Sequence, residues 1–102
     1  MKYYIVKYVH KDLFGWKKHL EAHVNYLNNQ VQNGNLIASG PIENNLDNQN
    51  EAFLIFSIYD KSSLTKLLEK DPFWQQGLVD EYTIDLWEPR FGNLDNLKIE
   101  RK

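Results

Sequence analysis

The chain has 102 residues, of which twelve are basic and fourteen acidic, for a formal net charge of −2. This length suits one domain, and a hydrophobic fraction of 42% excludes disorder as the default state. Nucleic-acid binding usually needs a basic surplus, so we expect no nucleic-acid partner.

The first half of the chain predicts a strand, a long helix and a second strand. Residues 2–9 are rich in tyrosine and β-branched side chains, as strands are. Residues 14–33 have the spacing of a helix, with Asp12 as the candidate N-cap and Gly34 just beyond the end. A short strand follows at 36–39, which a Gly-Pro pair is expected to stop.

The second half predicts two more strands separated by helical segments. After a polar, asparagine-rich loop, residues 52–59 are apolar almost throughout and form the clearest strand. Asp60 or Ser62 caps a helix that runs to about residue 70. A proline then breaks the helix, and the remaining elements are a short helix at 73–77 and a strand at 79–88.

The order of the main elements is βαββαβ, which is the plait of ferredoxin-like α+β folds. We therefore expect one α+β domain over residues 1–89. Residues 90–102 form a polar C-terminal extension, which would dock on the domain or on a dimer partner. The chain lacks both a signal peptide and an apolar run of the roughly 20 residues that cross a bilayer, so we expect a cytoplasmic protein without membrane contact.

The strands predict a homodimer. A plait leaves one sheet face open, and a solvated face would show alternating apolar and polar residues. The strands at 2–9 and 52–59 instead carry apolar side chains on both faces. A second copy of the sheet is the expected cover, because twofold dimers are the commonest oligomers. The alternative is that the C-terminal extension folds over this face.

The first helix carries the main candidate for chemistry. His23 borders an apolar stripe, and His19, Tyr26 and Gln30 flank it on the same side. A neutral imidazole in a partly enclosed space can act as a general acid or base. The alternative is a half-buried histidine that packs and bonds a backbone carbonyl. The stripe consists of Trp16, Leu20, Val24, Leu27 and Val31.

Asp71 is the second candidate. An aspartate before a proline is well explained as a helix N-cap, but its carboxylate could also orient His23. Ser39 precedes a Gly-Pro turn whose amides could bind an oxygen. His19 and His23 have metal-ligand spacing without the accompanying glutamate pattern, so we expect no metal. The chain has no phosphate-cradling glycine loop, and we expect no cofactor.

Taken in order, these segments resemble the YCII-related (YciI-like) family. The resemblance covers Met1 to about Pro89 and implies a dimeric α+β barrel related to muconolactone isomerases. It also implies that His23 and Asp71 are the active-site pair. Many members carry an arginine where this chain has Leu20, which puts an anionic substrate in doubt. The matching segments are His23-Val24-Asn25-Tyr26-Leu27, Ser39-Gly40-Pro41, Asp71-Pro72-Phe73 with Gly77, and Trp87-Glu88-Pro89.

Two functions follow as expectations. In the first, His23, oriented by Asp71, transfers a proton on a small cyclic or carbonyl compound, as a lyase or isomerase without a cofactor. Tyr26, His19 and Ser39 would then contact the substrate. In the second, the same cleft or the sheet interface serves a non-catalytic ligand-binding or assembly domain.

Overall fold

The computed structural model describes residues 1–43 and 47–92 and confirms the predicted α+β fold. Four strands form one antiparallel sheet in the order β2-β3-β1-β4. Every element ends within two residues of its predicted position. The elements are β1 (Lys2–His10), α1 (Leu13–Gln32), β2 (Leu36–Pro41), β3 (Asn50–Ile58), α2 (Lys61–Leu68), α3 (Pro72–Gln75) and β4 (Glu81–Trp87).

Each of the three helices within the described ranges begins at an aspartate N-cap. Asp12 accepts a hydrogen bond from the Gly15 amide at the start of α1. Asp60, not Ser62, caps α2. Asp71 caps α3, where a proline occupies the first turn. These side chains satisfy amide groups that have no partner inside the helix, and so they fix where each helix starts.

The second strand does not stop at Gly40-Pro41 as the sequence predicts. It continues through Pro41, which pairs with Ala52 of β3. Because β2 is an edge strand, the proline lacks only an amide that would face away from the sheet. The register shifts between Leu36 and Ala38, so this strand contains a one-residue bulge.

The main core lies between one face of the sheet and the helices. Alternate residues of β1 and β3 point to this face, which we call the helix face, and α2 packs its buried leucines against it. The core members are Tyr4, Val6, Tyr8, Leu36, Leu54, Phe56, Ile58, Leu64 and Leu68.

The opposite face of the sheet, which we call the open face, carries large apolar side chains. Phe53 and Trp87 lie there with 45% and 36% of their surfaces exposed. Ile5 is half-buried between its neighbours Ile55 and Asp85. The apolar character predicted for both strand faces is therefore present in the folded chain.

The apolar stripe predicted on α1 packs only in part. Val24 and Val31 remain 42% and 51% exposed, whereas His23 and Gln30 are buried. At these positions the buried line of the helix lies one residue before the predicted stripe. Val24 lines the cavity described below, and Val31 does not. The buried line of α1 passes through Gly15, whose position allows the helix to approach Leu78 closely.

The predicted docking of the C-terminal extension falls mainly on residues 93–102, which lie outside the described residues. Within the described ranges, none of the helices has the length and apolar character that a membrane crossing requires.

Candidate functional site

A cavity of about 680 Å³ opens between α1 and the helix face of the sheet. Trp16, Leu20 and Val24 form its helical wall, and Leu54 lies on the sheet side. Such a volume fits a small organic molecule, and mostly apolar walls with a few polar groups are typical of ligand sites. The polar lining consists of Tyr8, His10, His23, Ser39, Glu43, Asn50 and Glu51.

His23 and Asp71 meet at the wall of this cavity, as predicted. The distance from His23 Nδ1 to Asp71 Oδ1 is 2.8 Å. Asp71 is fully buried and His23 is 9% exposed. Because a carboxylate oxygen can only accept, Nδ1 carries the proton, and in this tautomer of the neutral ring Nε2 keeps a lone pair.

The start of α3 fixes the position of Asp71. Its Oδ1 accepts a second hydrogen bond, from the Phe73 amide at 2.9 Å, in the manner of an N-cap. The cap and the imidazole contact therefore use the same oxygen atom. Asp71 is therefore both a helix cap and the partner of His23, the two interpretations that the sequence offered.

Phe73 sets the plane of the His23 ring. The two rings are stacked at 3.9 Å between centroids, with 12° between their planes. The Trp16 ring also contacts Phe73, at 6.1 Å between centroids and with 32° between the ring planes. A stacked and hydrogen-bonded imidazole has little rotational freedom, so the site is ordered before any ligand arrives.

Two buried oxygen atoms near the pair lack a hydrogen-bond partner among the described residues: Asp71 Oδ2 and the Tyr8 hydroxyl. Unpaired buried polar atoms destabilise a fold, and native proteins contain few of them, so two beside this pair mark the region as a candidate site. The pKa of Tyr8 is raised, first by burial and second by the charge of Asp71. Tyr8 is therefore a neutral phenol and adds no negative charge beside His23 and Asp71.

His10 is a polar residue of the cavity that sequence reasoning missed. It is 2% exposed, and its Nδ1 lies 2.6 Å from the carbonyl oxygen of Leu78. Its ring meets Phe73 edge-on at 5.0 Å. Burial lowers the pKa of His10 below its usual 6.5, although the Leu78 hydrogen bond acts in the opposite direction. The alternation of β1 could have revealed it, since His10 shares a face with Tyr8.

The predicted substrate-binding residues take different places. Ser39 lies on the rim of the cavity, opposite Leu54 in the sheet. His19 and Tyr26 lie outside the lining formed by the described residues. The Tyr26 hydroxyl donates to the Leu67 carbonyl at 2.6 Å, so it ties α1 to α2. Burial and, to a smaller extent, Asp71 raise its pKa.

The charge of the lining is negative. Leu20, at the position where many family members have arginine, contacts the cavity, while Glu43 and Glu51 lie on its rim. Among the described residues, neither lysine nor arginine lines it. No group of three or more histidine, aspartate or glutamate side chains within residues 1–43 and 47–92 could hold a metal ion.

The fold and cavity together define a ferredoxin-like α+β domain with a buried histidine–aspartate pair. The model of the YCII-related domain matches residues 1–88, and the chain belongs to this family. This confirms the resemblance found in the sequence. A search of curated proteins found no match.

Among solved structures, the chain is similar to 5-chloro-2-hydroxyhydroquinone dehydrochlorinase from Burkholderia phenoliruptrix, in complex with 2,5-dihydroxybenzoquinone. The TM-score is 0.71 at 19% sequence identity, over 84% of this chain and 93% of that one. At this identity the similarity establishes a shared fold.

Proposed function

We propose that the protein transfers a proton on a small cyclic or carbonyl compound bound in the cavity, with His23 as the catalytic acid–base and Asp71 as its positioning residue. The observation that carries this proposal is the 2.8 Å contact between His23 Nδ1 and Asp71 Oδ1 beside an apolar cavity. The similar solved structure is that of a dehydrochlorinase, which adds support for lyase chemistry on a ring compound.

The chemistry starts at His23 Nε2, which removes a proton from a carbon next to a carbonyl group. The C–H electron pair forms a carbon–carbon double bond while the carbonyl π pair moves onto oxygen, which gives an enolate. In a lyase the enolate re-forms the carbonyl as a leaving group on the β-carbon departs with its electron pair, and in an isomerase the enolate takes the proton back on another carbon. Asp71 stabilises the imidazolium that forms in between.

The experiment compares the wild type with His23→Asn, which keeps a donor near the Nδ1 position but removes Nε2. One probe is cyclohexanone in deuterated water, with exchange of its α-protons followed by NMR. The other is 5-chloro-2-hydroxyhydroquinone, with chloride release as the readout. General acid–base groups contribute roughly 10²–10⁴-fold in rate, so the variant is expected to lose most of any enhancement.

Equal rates in wild type and His23→Asn, with no chloride release, would refute acid–base catalysis. Binding of hydroquinone without turnover would instead favour the second expectation, a ligand-binding domain. Both functions use the same cavity, and these two results distinguish catalysis from ligand binding alone.

We also propose a homodimer formed through the open face. Phe53 and Trp87 are exposed there, and a second sheet would remove them from water. Sedimentation velocity is expected to give twice the monomer mass for the wild type and a monomer for Phe53→Lys. Phe14→Lys is the matched control, because Phe14 is exposed on α1. A monomeric wild type would refute this assembly.

A further inference from the structure

We propose that His10 determines specificity in the cavity by accepting a hydrogen bond at Nε2 from a hydroxyl group of a cyclic ligand. This inference rests on the proposed function in one respect, that the cavity is the ligand site. It adds the substrate class: a ring compound that carries a hydroxyl donor for His10.

The first support is the way His10 is held. Its Nδ1 lies 2.6 Å from the Leu78 carbonyl oxygen, which can only accept, so Nδ1 carries the proton. In the neutral ring, Nε2 is then an acceptor without a proton. Burial in the interior favours this neutral form. The ring also lines the cavity, so a ligand can reach it.

The second support is the position of His10 relative to His23. Both imidazoles contact the same ring, that of Phe73, His23 by stacking at 3.9 Å and His10 edge-on at 5.0 Å. The centroids of the His10 and His23 rings are therefore separated by no more than the sum of their two distances to Phe73. One small ring compound can therefore touch both histidines.

The third support is that the two imidazole rings have different hydrogen-bond partners at Nδ1. The Nδ1 atom of His23 is held by the side-chain oxygen of Asp71, an acidic residue. The Nδ1 atom of His10 is held by the neutral carbonyl group of Leu78. Burial, and to a smaller extent the nearby His23, lower the pKa of His10. His10 can thus orient a hydroxyl group without removing its proton, while His23 performs the transfer.

A site built to bond a buried hydroxyl rejects an analogue that lacks it, because the acceptor is then left unpaired. Leaving one buried acceptor unpaired weakens binding by about 5- to 150-fold. Hydroquinone carries a donor at each end, whereas 4-methoxyphenol carries one. Hydroquinone is therefore expected to bind the wild type about tenfold or more tightly than 4-methoxyphenol.

The experiment measures both affinities by NMR titration under anaerobic conditions, for wild type, His10→Asn and His10→Gln. His10→Asn keeps an amide donor near the Leu78 carbonyl and removes the acceptor at the Nε2 position. Its preference for hydroquinone is expected to fall to about onefold. His10→Gln places an amide oxygen near the Nε2 position and is expected to restore part of the preference.

A preference that is unchanged in His10→Asn would overturn the inference and leave the proposed function standing. If neither phenol shifts the ring signals of His23 or His10 in the wild type, the cavity is not the ligand site and the proposed function fails first. Should both variants fail to fold, the wild type still decides. Hydroquinone must move the His10 Nε2 nitrogen resonance more than 1,4-dimethoxybenzene does, because the latter carries no hydroxyl donor, and equal shifts would refute the inference.

Discussion

Replacing Asp71 with asparagine should separate the charge of this residue from its structural role. Asp71 Oδ1 accepts from His23 Nδ1 at 2.8 Å and from the Phe73 amide at 2.9 Å. The Phe73 N–H requires an acceptor, so it would turn the oxygen of the new amide toward both donors. Asp71→Asn therefore keeps the volume, the cap and the tautomer of His23. It removes the charge and places an NH2 group where the buried Oδ2 lies.

The two effects of this substitution differ in size. A hydrogen bond to a charged group contributes about 1.5–3 kcal/mol and a neutral one about 0.5–1.5 kcal/mol, so two weakened bonds lose about 2–3 kcal/mol. Relief from burying a charge that is fully enclosed offsets much of this loss. Stability should change little, whereas turnover should fall roughly 10²–10⁴-fold, because the imidazolium loses its counter-charge.

The assay measures thermal unfolding and α-proton exchange on the same protein samples, with the His23 tautomer read from its ring nitrogen signals. Asp60→Asn is the matched control, since Asp60 caps α2 in the same way and lies outside the lining of the cavity. It should leave turnover unchanged. Asp71→Ala should destabilise the fold by about 1 kcal/mol or more through the lost cap. Wild-type turnover in a folded Asp71→Asn would show that Asp71 is a helix cap and nothing more.

Three further substitutions test the cavity and its surroundings. Leu20→Arg should raise the affinity for benzoate about tenfold, because an arginine there would pair with a carboxylate; an unchanged affinity in NMR titration would contradict this. The folded pKa of His10 lies below 6.5, so the unfolded chain binds its proton first as the pH falls. Wild-type stability should therefore decrease below about pH 6.5, by at most about 1.4 kcal/mol per pH unit, and His10→Asn should show a shallower slope in denaturant titrations. Gly15→Ala should destabilise the protein, since the new Cβ would lie 2.6 Å from Asp12 Oδ2 and Leu78 Cδ2. The steric contacts should lower the free energy of unfolding by about 1–3 kcal/mol, and the better helix propensity of alanine should return about 1 kcal/mol of this. An unchanged melting temperature would show that Asp12 and Leu78 move aside without cost.

The elements of this fold were predictable because their signals are local. Asp12, Asp60 and Asp71 each mark a helix start within a few residues of sequence, and strand alternation needs only a short window. The extension of β2 through Pro41 was not predictable in the same way. A proline stops a central strand but not an edge strand, and the strand order becomes known only in the folded sheet.

The site was predictable only in part. His23 and Asp71 are 48 residues apart, so no local pattern joins them. Their contact was one of two interpretations of Asp71, and the family resemblance favoured it. His10 was overlooked because it ends a strand beside charged residues, where a polar side chain seems to need no explanation. Tyr26 has the right helical spacing to His23, but its hydroxyl points to the Leu67 carbonyl, a partner that depends on how α2 packs.

The bulge in β2 has a consequence for aligning this chain with its relatives. Ile37 is the extra residue, and beyond it Ser39 pairs with Leu54 and faces the cavity. A relative with a regular strand would need a gap opposite Ile37. Without that gap, every later residue of the strand would be matched to one on the other face, and a role assigned to Ser39 would be transferred to the wrong side chain.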